Sequence, residues 1–162
     1  MTAVPKLPFP ARLGPLVLAL VLLQAAVASG YAAAPHSQAE TLRVLDARIP
    51  LPPPGAAVAA AYFTLRNTGD SPIVLTGIDC DIASGAMLHQ SMQRHHEMLM
   101  RPVRKLELAP GQQASLAPGG MHVMLHGLQR PLRIGEQVGL TLHFADGSVR
   151  RIVADVRPLG SP

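Results

Sequence analysis

The 162-residue chain is nearly half hydrophobic, sets 14 Lys and Arg against 10 acids, and contains a single Cys and no Trp. Its arginines are scattered, as Arg43, Arg66, Arg130 and Arg150 show, and its aromatics are few, which excludes a stacking surface for nucleic acid. One Cys excludes both an internal disulfide and a C-x-x-C redox pair.

The N-terminus carries Lys6 and Arg12 and no acid, followed by the apolar run Leu13–Ala28. Ala26-Val27-Ala28 supplies a small-residue cleavage pattern, so residues 1–28 are predicted to be a secretory signal removed before Ser29. The run is interrupted by Gly14 and Pro15 and falls short of the roughly 20 residues a spanning helix needs. Nothing later in the chain is long and apolar enough to span, so the mature form is expected to lack a membrane span. No Cys lies beside the cut, and a lipid anchor is not expected. Loss of Lys6 and Arg12 brings the mature charge nearer to neutral.

Residues 29–40, SGYAAAPHSQAE, read as a flexible lead-in. From Thr41 the chain breaks into short β-like runs: TLRVLDARI, AAYFTLRN, IVLTGIDC, GAMLHQS, EMLMR, KLEL, QASLA, MHVMLHGL, VGLTLHFA and SVRRIVADV. Between them stand PLPPPG, NTGDSP, Ala109-Pro110-Gly111, Ala117-Pro118-Gly119-Gly120, Arg130-Pro131 and Asp146-Gly147, the last a strong hairpin signal. Such spacing predicts one all-β domain over residues 41–160, a sandwich or barrel.

Chemistry concentrates in one stretch. Of seven His and seven Met, all but Met1, His36 and His143 fall between Met87 and His126. Met is a common gap filler in cores, but a core gives no reason for His to gather beside it. Imidazole and thioether together suit copper, and thioether favours Cu(I). Alternation along a strand puts His122, Met124 and His126 on one face, Met98 and Met100 on one face, and Met87 and His89 on one face. An exported protein works where a Cys pair would oxidise. Met sulfur forms no disulfide, and neutral His nitrogen adds affinity that thioethers alone lack.

The pattern H-x10-M-x21-H-x-M, met by His89, Met100, His122 and Met124, resembles the PCuAC family of periplasmic copper chaperones, the DUF461 type. The segments AAAYFTLRNTGD, MRPV after Met100, PGG before Met121 and HVMLHGLQRPL are similar to the family as well, and the likeness covers about residues 56–157. The resemblance implies a cupredoxin-like Greek-key β-sandwich or barrel that holds Cu(I) through those four side chains. It further implies a monomer in the periplasm delivering copper to an oxidase subunit or assembly factor during cytochrome c oxidase assembly. Two departures stand out. His126 replaces a Met common in the family, and His95 and His96 occupy a loop that is usually small or acidic, which leaves them open to auxiliary Cu(II) binding.

Three other functions compete. Copper sequestration would use the same ligands. A blue-copper electron carrier needs two His and one Cys with a weak axial Met, and Cys80 precedes every histidine of the cluster. An enzyme is not expected: G-x-S-x-G and H-E-x-x-H are missing, and thioethers are poor ligands for hydrolytic metal chemistry. His143 in TLHFA reads as a strand histidine with a local partner, and Cys80 as a half-buried residue at a strand end. The turns before His89 and His122 place the expected site at the rim of the domain.

Overall fold

The computed structural model describes residues 36–94 and 97–160; the signal assigned to residues 1–28, the lead-in as far as residue 35, and the auxiliary candidates His95 and His96 lie outside the described residues. Every β-like run of the sequence becomes a strand. They are β1 (Leu42–Pro50), β2 (Val58–Asn67), β3 (Ile73–Cys80), β4 (Ala83–Arg94), β5 (Glu97–Pro102), β6 (Leu106–Leu108), β7 (Gln113–Leu116), β8 (Met121–Leu128), β9 (Gln137–Phe144) and β10 (Val149–Arg157).

Seven of them close into a barrel in the order β4-β8-β2-β1-β10-β9-β3 and back to β4. Pairing is antiparallel except for β1 with β10. The seam is narrow, since β3 meets β4 through the single pair Ile78 and Ala86. Closure leaves few open edges in the wall itself. The remaining strands hang from it: β5 on β4, β6 on β3 and β7 on the second half of β2. This is the all-β, cupredoxin-like architecture expected.

Alternation decides what enters the barrel. On β2, Ala59, Ala61, Phe63 and Leu65 point inward; on β8, Val123 and Leu125 do; on β9 and β10, Val138, Leu140, Leu142, Ile152, Ala154 and Val156 complete the core. Each large side chain so buried stabilises the fold by about 1.5–3 kcal/mol.

One polar residue works inside this apolar volume. Asn67, fully buried, donates from Nδ2 to the carbonyls of Ser71 (2.8 Å) and Leu108 (3.0 Å), and its Oδ1 accepts from the Gly69 amide at 2.9 Å. It thereby satisfies backbone groups where β2 ends and the NTGDSP turn begins.

The Asp146-Gly147 signal marks the β9–β10 hairpin. Gly147 takes φ 81°, a left-handed value costly for other residues, and its amide donates to the Phe144 carbonyl at 3.0 Å. The lead-in differs from its sequence reading at its C-terminal end, where residues Gln38–Thr41 form one helical turn, α1. Ser37 and Glu40 make a reciprocal capping box there. Asp146 accepts from the Gln38 amide at 2.8 Å, and Gln38 Oε1 accepts from the Val74 amide at 2.8 Å.

Candidate metal centre

The β4–β8 ladder builds the centre. Its register sets Leu88 against Val123 and Ala86 against Leu125, pairs that turn toward the core. The alternate pairs must therefore face outward, and they are His89 with His122, Met87 with Met124 and Gly85 with His126. β5 extends the same face from the other edge of β4, where Met100 stands opposite Ser91 and Met98 opposite Gln93. Three strands thus contribute His89, Met100, His122 and Met124 to one outward surface. The donors stand on strands, with His122 directly following the 117–120 turn, whose Pro118 and Gly119 line the same cavity.

His122 is outward-facing yet only 7% exposed. The Tyr62 ring of β2 covers one side, centroids 6.4 Å apart, and is itself covered by the Arg48 guanidinium at 5.9 Å. Its Nδ1 lies 3.2 Å from the Gly120 carbonyl. With Nδ1 as the donor, Nε2 keeps its lone pair free for a metal, the usual way a carbonyl orients a ligating histidine. The Gly120 carbonyl also accepts the Ser91 amide at 3.0 Å, tying the turn before β8 to β4.

The His89 ring lies 6.0 Å from that of His122, with planes inclined at 80°. Its Nδ1 is the one buried side-chain nitrogen or oxygen among the described residues that has no hydrogen-bond partner. A buried lone pair or N–H without a partner is costly, so it marks a position where a ligand is expected. Desolvation, and then the neighbouring charges His122 and His126, push the His89 pKa below its ordinary value. The neutral ring that results is the metal-binding form.

Met100, Met124 and His122 line a surface cavity of ≈ 760 Å³, whose other walls include Tyr62, Ser91 and Pro118. Met100 is 57% exposed, on a strand exposed throughout its length. Among the described residues no three His, Cys, Asp or Glu converge. The donors offered on this face are imidazole nitrogen and thioether sulfur, a set whose chemistry fits Cu(I) and suits Zn(II) poorly.

The remaining candidates separate. Met98 shares the outward face farther along β5, whereas Met92 pairs with Leu99 on the opposite face of the hairpin. Cys80, the last residue of β3, packs partly against the core, where burial raises its thiol pKa. His143 Nε2 lies 2.6 Å from the Asp79 carboxylate. Tyr62 is the site residue that composition alone did not mark. The alternation of AAYFTL turns it away from Phe63 and Leu65, but its neighbour strand is fixed only by the fold.

The family described as "Putative lipoprotein LpqE-like" matches residues 42–156. A relative from Leifsonia xyli subsp. xyli, "Putative lipoprotein Lxx21020", is 31% identical over 124 residues, 76% of this chain and 74% of the relative. The solution structure of Cu(I)-bound DR1885 from Deinococcus radiodurans is 33% identical with a TM-score of 0.55, covering 85% of this chain and 88% of that one. The copper-bound PCuAC domain of PmoF2 shares the fold at a TM-score of 0.62 and 22% identity, over 73% of this chain and 93% of that domain. The chain belongs to the LpqE-like, or PCuAC, family.

Proposed function

We propose that this protein is a copper chaperone of the cell envelope, binding one Cu(I) through His89, Met100, His122 and Met124. One observation carries the reading. From one outward face His89, His122, Met100 and Met124 offer two imidazoles and two thioethers, no three His, Cys, Asp or Glu converge among the described residues, and one of these imidazoles has a buried, unpartnered nitrogen. That set matches a soft monovalent ion. The relative solved with Cu(I) supports it.

Transfer follows from exposure. His122, covered by Tyr62 and oriented by the Gly120 carbonyl, is the fixed end of the site. Met100, on an exposed edge strand, is the end that an acceptor's ligands can displace first. Copper stays Cu(I) throughout, and no proton transfer or redox step is needed. The acceptor is an envelope protein, an oxidase subunit or assembly factor, and the chaperone acts as a periplasmic monomer after removal of residues 1–28.

X-ray absorption of the Cu(I) form should show mixed nitrogen and sulfur neighbours; an all-nitrogen shell would remove Met100 and Met124 from the assignment. A deletion strain should lose cytochrome oxidase activity at low copper and recover it when copper is added. Unchanged oxidase activity with reduced copper tolerance would replace delivery by sequestration at the same ligands. Cys80 packs partly against the core, which argues against a blue-copper centre on this face.

A further inference from the structure

We propose that Met87, Met124 and His126 form a second seat for a soft monovalent ion, beside the first and sharing Met124 with it. The proposal rests on the reading above in one respect only, that Met124 belongs to the first seat.

The register carries it. Met87 stands directly across from Met124, and His126 directly across from Gly85, on the same outward face as His89 and His122. Direct cross-strand partners have Cβ atoms about 4.5–5.5 Å apart, and diagonal neighbours lie within about 7–8 Å. Met87 is therefore within side-chain reach of both Met124 and His126.

Gly85 shows where the imidazole lies. A Cβ on Gly85 would stand 2.3 Å from His126 Nε2 and 2.5 Å from Cε1. The ring thus lies across β4, over the Gly85 α-carbon, and remains open to solvent on its outer side. Only a residue without a side chain leaves room for that pose. It brings Nε2 to a point two residues from Met87 on the same face of β4. Among the described residues neither ring nitrogen of His126 has a hydrogen-bond partner, and the residue's one side-chain contact to its backbone is Ser84 Oγ donating to the His126 carbonyl.

Met87 supplies a mobile donor. It is 46% exposed and borders a hollow of ≈ 330 Å³ that also includes Asp79 and His143. Its side chain has three rotatable bonds, so the sulfur can leave that hollow and turn toward Met124. Nitrogen and thioether donors without carboxylate define the ligand class as Cu(I) or Ag(I). An ion moving between the seats would keep Met124 and exchange His89, His122 and Met100 for Met87 and His126. No electron is transferred in that exchange.

The test uses the mature protein and Ag(I), a redox-silent probe of the same class. Methionine methyl and histidine ring-nitrogen NMR signals would be followed through two equivalents. The first should move Met100 and His122, and the second should move Met87 and His126. Met87→Leu or His126→Ala should weaken the second event by about tenfold or more while sparing the first. A second equivalent that moves only His95 and His96, or leaves Met87 and His126 still, overturns the proposal. A first equivalent that moves Met87 and His126 but not Met100 and His122 would uphold this seat and overturn the four-ligand reading. In a His89→Ala/His122→Ala double variant the Met87, Met124 and His126 signals should still respond to Ag(I).

Discussion

His89 stands directly opposite His122 across the β4–β8 ladder, their rings 6.0 Å apart and nearly perpendicular. No hydrogen bond links the two rings; strand register brings the imidazoles together, and the Gly120 carbonyl and Tyr62 further orient His122. A metal would bridge what the protein leaves unbridged.

His89→Ala and His122→Ala should therefore each lower Cu(I) affinity by about tenfold or more, on the scale of losses at metal sites. His95→Ala and His96→Ala should leave it nearly unchanged. Competition against a Cu(I) chelator measures the four constants, and equal losses at all four positions would show the site to be misplaced. His122→Ala should also lower apo stability, because the ring fills space beneath Tyr62, whereas His89→Ala should cost less.

Asn67→Ala should destabilise the fold without touching the metal centre. Its amide serves the Ser71 and Leu108 carbonyls and the Gly69 amide inside the protein. The bond to Leu108 is buried, and leaving that carbonyl unpaired costs about 1–3 kcal/mol; the Ser71 and Gly69 groups, part-buried, are partly rehydrated and add less, so a total loss of about 2–4 kcal/mol is expected. Urea unfolding should show the loss, while Cu(I) affinity of the folded variant stays at the parent value.

Asp146 ties α1 to the β9–β10 hairpin, and its carboxylate is held below its ordinary pKa by the Ser148 hydroxyl first and then by the Gln38 and Ser148 amides. A carboxyl whose folded pKa lies below its unfolded one stabilises above the unfolded value. The contribution is lost as pH falls through the folded value. The window thus opens near the ordinary 3.8 and extends below it. Protection of the Gln38 amide, its exchange rate taken relative to the intrinsic rate at each pH, should fall in that range. Asp146→Asn should abolish the pH dependence, and an unchanged profile in that variant would assign the effect to another group.

The strands were legible because most of the alternating runs are bounded by Pro, Gly or Asn-rich turns, and Asp146-Gly147 announced its hairpin. The ligand spacing was legible too, since His122 and Met124 lie two apart on one strand. Partner strands were not. Nothing in the residues near His89 says that β4 pairs with β8 on one edge and β5 on the other, or that Tyr62 closes over His122. Those facts are long-range pairings, set by barrel closure. The α1 turn was carried by Ser37-Gln38-Ala39-Glu40, a capping-box pattern, but no apolar helical run follows it. The hydrogen bond between His143 and Asp79 likewise depends on β3 lying beside β9.

Selectivity gives the sharpest test of the donor set. The proposed donor set holds two imidazoles, and two neutral nitrogens do not make a strong zinc site. Met100 sits on an exposed edge strand, so its replacement disturbs little packing. Met100→His would put a third imidazole where a thioether now stands, giving three imidazoles and one thioether. Zn(II) affinity should then rise by about tenfold or more, because three-histidine sites are established zinc chemistry. Cu(I) preference should fall in the same variant, since one of its two soft donors is gone. Parallel titrations with Zn(II) and Cu(I) on the parent and the variant decide it. If Zn(II) binding did not change, Met100 would not point at the ion that His89 and His122 hold, and the β5 strand would have no part in the centre.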